Sequence, residues 1–201
     1  CIRDSQKAID YCNLLDGKYE LSKAEKNGYT GYEQVFMADN DQNVQAMKEI
    51  ILPIRQDGAK TKCYSGANYL VSSTRITGMP YIGTSNGWSC NFSRAALVKK
   101  FFSTIEDCPL ATEAAPKDAT EADIIALDKA AGTTTKDVQA KANDDRALFY
   151  SGCGGGLRKL QADQIAGFNS GLSIVKWSNI RTDGACLLYT SPSPRDRTRS
   201  R

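Results

Sequence analysis

Apolar positions in the sequence repeat at the three-to-four-residue spacing of amphipathic helices. The segment 43–51 carries this pattern and stops shortly before a proline, which cannot continue a helix. Ser93 is placed to cap a second helix, because serine is favoured at helix N-caps. Two more helices are predicted, one between the caps Thr120 and Gly132 and one over residues 135–148. The apolar face of the Ser93 helix would consist of Leu97, Val98, Phe101, Phe102 and Ile105.

Two long stretches lack this spacing. Residues 14–37 and 64–90 are rich in Gly, Asn, Ser, Thr and Tyr, which is typical of ordered loops, with short strands around residues 69–71. The predicted fold class is therefore mainly α: an irregular, loop-rich helical chain. A chain with so much loop is expected to pack inside a larger assembly.

An internal duplication is indicated by three short strings that occur twice in the same order, including both tryptophans of the chain. The pairs are Tyr-Ser-Gly at 64–66 and 150–152, Ile-x-Gly at 76–78 and 165–167, and Trp-Ser at 88–89 and 177–178. Both tryptophans are interpreted as core residues of the repeat. We predict an N-terminal half with the first repeat, a connector rich in Pro and Ala, and a truncated second repeat. The boundaries are 1–108, 109–119 and 120–185.

Residues 186–201 resemble the translation of a sequencing adapter and are predicted not to be native; the alternative is a genuine basic tail rich in Ser and Pro. The whole chain of 201 residues has a net charge of +3. This tail carries four arginines and one aspartate, so the remaining residues balance at 22 basic and 22 acidic side chains. Without a basic surplus, nothing favours nucleic acid as a partner. No apolar run reaches the roughly 18 residues of a membrane span.

The chain has no histidine, which excludes Ser-His and Cys-His catalytic pairs and leaves no histidine metal ligand. No Cys-x-x-Cys pair is present either, so a zinc site is not expected, and we predict that the protein is not an enzyme. Seven cysteines remain to be explained. They leave four readings open: tethers of a covalent cofactor, inert thiols of a structural protein, disulfides of an extracellular binding module, or a reactive thiol of an enzyme.

The opening residues favour the covalent cofactor. Cys1, Arg3 and Asp4 form a Cys-x-Arg-Asp string, and on a helix Asp4 lies on the same face as Cys1. A tetrapyrrole bonded to Cys1 would then have a carboxylate under its pyrrole N–H groups, and Arg3 could pair with a propionate. Cys12 returns to the same face about 16 Å along the helix, a span that one open-chain tetrapyrrole could bridge.

The Cys-x-Arg-Asp string is similar to the bilin-attachment motif of phycobiliprotein α and β subunits. Size, duplication and scattered cysteines resemble instead the γ subunits of red-algal phycoerythrin, which are bilin-bearing linker polypeptides of the phycobilisome rod. This resemblance implies phycoerythrobilin or phycourobilin on cysteines and a light-harvesting function. It also implies partners, namely the phycoerythrin α and β subunits in hexameric rings and other rod linkers. The implied location is the plastid, at the stromal face of the thylakoid membrane.

The remaining cysteines are graded by their surroundings. Cys63 has lysines nearby for propionates, and Cys153 lies in a Gly-rich stretch that is predicted to be flexible, so both are candidate bilin sites. Cys108 is a third candidate because Asp107 precedes it. Cys90 is predicted to be a buried, inert thiol.

Overall fold

A computed structural model of the chain describes residues 2–53, 67–84, 87–160 and 171–185. The helices in these ranges are short, and the longest has 12 residues. In chain order they are α1 (Ile2–Asn13), α2 (Gly31–Gln34), α3 (Val44–Glu49), α4 (Ala67–Thr74), α5 (Ala95–Val98), a 3₁₀ helix (Ile105–Asp107), α6 (Glu121–Ala131) and α7 (Thr135–Ala142). Irregular segments connect them.

A small antiparallel sheet joins distant parts of the chain. Its strands are β1 (Phe92–Ser93), β2 (Phe149–Tyr150) and β3 (Leu172–Ile174), and β3 lies between the other two. Ser173 of β3 is opposite Phe92 on one side and opposite Tyr150 on the other. The sheet thus ties residues near 92 to residues beyond 170. The predicted domain boundaries stay predictions.

The core lies around this sheet in two clusters. The larger cluster contains Val98, Phe102, Cys108, Val138, Ala147, Phe149 and Leu172. The smaller one contains Ile76, Met79 and Tyr150. Helix α7 and the segment after α5 pack on the first cluster, whereas Ile76 and Met79, which follow α4, form the second together with Tyr150 of β2. The end of α4 is therefore held against the sheet.

Two helix predictions are confirmed. Helix α3 begins after its N-cap Asn43, within the predicted segment 43–51. Helix α6 begins after Thr120, whose hydroxyl accepts a hydrogen bond from the backbone N–H of Asp123, and ends at Gly132 with a φ of +65°. Both helices carry their start signals in adjacent residues, which is why a local pattern located them.

The mainly α fold class is wrong. Some residues that were predicted to belong to a helix lie in the sheet, and others that were predicted to form a strand lie in a helix. Ser93 caps no helix: it lies in β1, and its hydroxyl donates to the carbonyl of Leu172 at 2.9 Å. Helix α5 is only four residues long. Residues 69–71 lie inside α4 rather than in a strand. The outcome at Ser93 depends on a partner that lies 79 residues away in the sequence.

The predicted helix 135–148 is only partly right. Helix α7 ends at Ala142, because Asn143 adopts a left-handed conformation with a φ of +50°. Asparagine tolerates this conformation better than most residues. Residues 147–150 are then buried and lead into β2. The helix ends at this point, and the apolar residues that follow it are buried against β3.

Candidate functional site

An exposed aromatic pair lies between helix α4 and the segment that precedes β1. The rings of Tyr69 and Trp88 have centroids 5.7 Å apart and are inclined at 58°. Tyr69 is 46% exposed and Trp88 is 43% exposed, although large aromatic side chains are usually well buried. The interpretation of Trp88 as a core residue is therefore wrong. The two rings form a tilted apolar surface that solvent reaches, and we call it the aromatic pair.

The backbone around Trp88 is fixed by the C-terminal end of α4. The N–H of Trp88 donates to the carbonyl of Ser72 at 2.8 Å, and the N–H of Cys90 donates to the carbonyl of Ser73 at 2.9 Å. The N–H of Ser89 donates to the carbonyl of Arg75 at 3.1 Å. Carbonyls at the end of a helix lack partners within the helix, so this segment satisfies them. Trp88 is consequently held in register with the helix that carries Tyr69.

Close packing adds to this restraint at Gly87. A Cβ atom at this position would lie 2.2 Å from the carbonyl oxygen of Arg75, so only glycine allows the segment to approach α4. Arg75 itself is buried, and its guanidinium donates to the carbonyl of Pro80 at 2.9 Å. Burial lowers the pKa of Arg75. The base of the aromatic pair is therefore a densely packed part of the fold.

A buried polar cluster supports the same region from the other side. The carboxylate of Asp128 accepts hydrogen bonds from the Tyr150 hydroxyl at 3.0 Å and from the backbone N–H of Cys153 at 2.7 Å. The Tyr150 oxygen in turn accepts from the N–H of Gly154 at 2.8 Å. Burial and the nearby Asp128 carboxylate raise the pKa of Tyr150, so the phenol stays protonated and remains a donor.

The Gly-rich stretch, which was predicted to be flexible, is hydrogen-bonded to this cluster. A Cβ at Gly154 would lie 2.0 Å from the carbonyl oxygen of Gly78, and one at Gly152 would lie 2.3 Å from the Asp128 carboxylate. The stretch thus packs directly on the turn that follows α4. Its glycines serve this close approach.

The candidate bilin residues are dispersed along the chain, and some of them lie outside the residues that the structure describes. Cys1 and Cys63 lie outside the described residues, and so does the side chain of Arg3. Asp4 and Cys12 are exposed on α1. Cys108 and Cys153 are both buried, and each of their thiol pKa values is raised to about 11, chiefly by desolvation. Cys90 is exposed, so the prediction of a buried thiol is wrong.

The thiols described by the structure are free, and these are Cys12, Cys90, Cys108 and Cys153. Within the same described ranges, no group of three or more Cys, Asp or Glu side chains is arranged to hold a metal ion. None of the helices in that part of the chain is long and apolar enough to cross a membrane. The candidate binding surface among the described residues is therefore the exposed aromatic pair.

No family model matches the sequence. The chain is 53% identical over 186 residues to the starch-binding protein SusD of Bacteroides thetaiotaomicron. The chain resembles part of a starch-binding protein. The match takes in 90% of this chain and 32% of the relative, so the chain spans about a third of the length of that protein.

This match overturns the resemblance to phycoerythrin γ subunits. That resemblance depended on a four-residue string, whereas identity at about half of 186 aligned positions cannot arise from a short motif. The light-harvesting function, the phycobilisome assignment and the phycoerythrobilin and phycourobilin cofactors are wrong. The phycoerythrin α and β subunits as partners and the plastid location at the thylakoid are wrong as well, because the relative is a bacterial protein named for starch binding.

Sequence reasoning missed Tyr69 and Trp88 as functional candidates. One signal was present: Trp88 stands in the stretch Gly-Thr-Ser-Asn-Gly-Trp-Ser at 83–89, whose polar and glycine-rich character is typical of a surface loop. Nothing comparable marks Tyr69, because its exposure depends on how α4 sits against the sheet.

Proposed function

We propose that this chain is part of a protein that binds starch, and that Tyr69 and Trp88 form the surface on which its glucose units stack. The observation that carries the proposal is the 53% identity to a starch-binding protein over nearly the whole of this chain. The exposed aromatic pair supports it independently, since it is the kind of surface that a sugar ring can use.

The chemistry of a glucose ring matches this surface. One face of the ring presents C–H groups and is apolar, and it can lie on an aromatic face while the hydroxyls at the rim stay hydrated. Tyrosine and tryptophan combine an apolar body with a polar edge, which suits a ligand of this mixed character. The 58° inclination of the two rings fits successive units of a curved chain, as in an α-1,4-glucan, better than a flat ribbon.

The rigidity of the pair favours binding. Ordering side chains and loops on association costs free energy, so a surface that is already fixed loses less. Trp88 is held by the hydrogen bonds of residues 88–90 to α4, and Gly87 packs on the backbone of Arg75. We propose binding without catalysis, in keeping with the name of the relative.

Calorimetric titration of the full chain with maltoheptaose tests this proposal. We expect Trp88→Ala to weaken binding at least tenfold, about 1.4 kcal/mol, and Tyr69→Ala to weaken it by a smaller factor. The control is Tyr11→Ala, which removes an aromatic ring that is 70% exposed on α1, away from the pair. Cellohexaose, a straight β-1,4-glucan, serves as the control ligand and is expected to bind more weakly. Equal affinity of wild type and Trp88→Ala for maltoheptaose would overturn the assignment.

A further inference from the structure

The aromatic pair is an apolar surface, so stacking on it does not distinguish a sugar from another flat apolar ligand. Binding sites of this kind gain their specificity from a few polar groups placed beside the apolar surface. Such a group has to be exposed, has to lie next to the pair and has to carry a donor or an acceptor that the fold leaves unused. The exposed side chain of Asn91 meets these conditions.

Asn91 lies at the end of α4, beside the residues that form the aromatic pair. Its N–H donates to the carbonyl of Ser73 at 3.0 Å, and the N–H of Trp88 donates to the carbonyl of Ser72 at 2.8 Å. Consecutive carbonyls of α4 thus hold both residues. Ser73 follows Tyr69 by four residues, so the two lie on the same face of α4, about 6 Å apart along the helix axis. The backbone of Asn91 is therefore fixed close to the residues that carry both rings.

The side-chain amide of Asn91 is held by a chain of two hydrogen bonds. Its Nδ2 donates to the Oγ of Ser73 at 2.9 Å, and this Oγ donates to the carbonyl of Leu70 at 3.0 Å. A serine hydroxyl has one hydrogen, which is used here towards Leu70, so the hydroxyl can only accept from Asn91. The amide nitrogen, rather than the amide oxygen, therefore faces Ser73, and the orientation of the amide is determined.

This orientation leaves one donor and one acceptor of the Asn91 amide available. The amide nitrogen carries two hydrogens, and Ser73 accepts only one of them. The Oδ1 of Asn91 accepts no hydrogen bond from any residue in the part of the chain that the structure describes. Because the side chain is already ordered, a ligand that uses these two groups pays little conformational entropy to do so.

We propose that Asn91 recognises the hydroxyls of the bound sugar, and that the glucan runs from the aromatic pair across residues 88–91. This role rests on the proposed function, because Asn91 belongs to the same binding surface. Two adjacent hydroxyls of a glucose unit match the amide: one donates to Oδ1, and its neighbour accepts from the remaining Nδ2 hydrogen. Stacking on Tyr69 and Trp88 supplies affinity, and Asn91 supplies selectivity for a ligand with adjacent hydroxyls. Ser73 acts through Asn91 as a positioning residue.

Calorimetric titration of the full chain with maltoheptaose tests the role of Asn91. Asn91→Ala removes the donor and the acceptor, and we expect a loss of affinity of about three- to tenfold, the size of one or two neutral hydrogen bonds. The matched control is Asn13→Ala, which removes an exposed asparagine from the end of α1 and should leave the affinity unchanged. Unchanged affinity in Asn91→Ala, where Trp88→Ala weakens binding, overturns the role of Asn91 alone. Absence of binding to the wild type overturns the proposed function and this role with it.

A second pair of variants tests whether the anchoring of the amide matters. Ser73→Ala removes the hydroxyl that holds Asn91, so it should weaken maltoheptaose binding in the wild-type background and cause no further loss in the Asn91→Ala background. A merely structural effect of Ser73 would weaken binding in both backgrounds. Equal losses in the two backgrounds therefore overturn the positioning role of Ser73.

The exposed thiol of Cys90 tests the path of the glucan without any substitution at Asn91. Cys90 lies between Trp88 and Asn91 in the sequence, so a glucan that crosses residues 88–91 covers it. Saturating maltoheptaose should slow the reaction of Cys90 with iodoacetamide and leave the rate at the exposed Cys12 of α1 unchanged. If the wild type binds maltoheptaose and Cys90 reacts at the same rate with and without it, the glucan does not cross this segment and the proposed path is wrong.

Discussion

The hydroxyl of Tyr150 donates a 3.0 Å hydrogen bond to the carboxylate of Asp128, and both side chains are 2% exposed. The same carboxylate accepts the N–H of Cys153, and the same hydroxyl accepts the N–H of Gly154. Two side chains thus satisfy two backbone groups of the Gly-rich stretch. Since that stretch packs on the turn after α4, this buried pair supports the base of the aromatic surface.

Tyr150→Phe is expected to lower the free energy of unfolding by about 1–3 kcal/mol, because it leaves the N–H of Gly154 without an acceptor and removes one donor from a buried carboxylate. Urea denaturation of the wild type and the variant measures this loss. Tyr11→Phe is the control, since that ring is largely exposed, and it should change the free energy of unfolding little. Adding Asp128→Asn tests the pair directly: the two effects should be non-additive by about 0.5–3 kcal/mol. Strict additivity would contradict the contact.

Gly154→Ala is expected to destabilise the protein by about 1–3 kcal/mol, because the new Cβ would meet the carbonyl oxygen of Gly78 at 2.0 Å and that backbone atom cannot easily move. Thermal unfolding measures the effect. The comparison variant is Gly132→Asn, at a left-handed helix cap where nothing lies within 4 Å and asparagine is tolerated. If both variants unfold at the wild-type temperature, the Gly-rich stretch does not pack on the turn as described.

The four described thiols should divide into two classes of reactivity. Cys12 and Cys90 are exposed and are expected to react with iodoacetamide within minutes at about pH 8. Cys108 and Cys153 are buried, and with a pKa of about 11 roughly one molecule in a thousand is ionised at that pH. Peptide mass spectrometry after timed alkylation gives each rate. If all four thiols are labelled at the same rate in the folded protein, before any urea is added, this division is wrong.

The stability contributed by Asp144 should disappear in acid. Hydrogen bonds from the Arg146 side chain lower the pKa of Asp144 in the folded state, so its contribution is complete above the unfolded pKa of about 3.9 and is lost as the pH falls through the folded value. Because Arg146 is largely exposed, the gain is below about 1 kcal/mol. We expect Asp144→Asn to be less stable than wild type at pH 7 and to converge with it near pH 2, as measured by urea denaturation.

A matching variant checks the cause. Arg146→Ala removes the donor and should reproduce the loss at pH 7 and the convergence in acid. If the difference between wild type and Asp144→Asn stays constant from pH 7 to about pH 2, the contribution of Asp144 does not come from its ionised form.

The contrast between α6 and the aromatic pair shows what local sequence can predict here. Thr120, Asp123 and Gly132 mark the two ends of α6 through hydrogen bonds and backbone conformations that span a few residues, so the pattern located this helix correctly. Ser93 carries an equally good cap signal, yet it pairs with β3, because a strand some 80 residues away offers a partner that local spacing does not reveal.

The sequence by itself determined the helices whose caps are local, whereas the function inferred from its cysteines was wrong. Only the tertiary structure decided that Tyr69 and Trp88 face solvent together and that the Tyr150 hydroxyl meets the Asp128 carboxylate in the interior. Both features depend on contacts between segments far apart in the chain: residues 87–91 against the end of α4, and β2 against α6. Local hydrogen bonding does not encode such contacts, because they form only when the buried residues around the sheet come together.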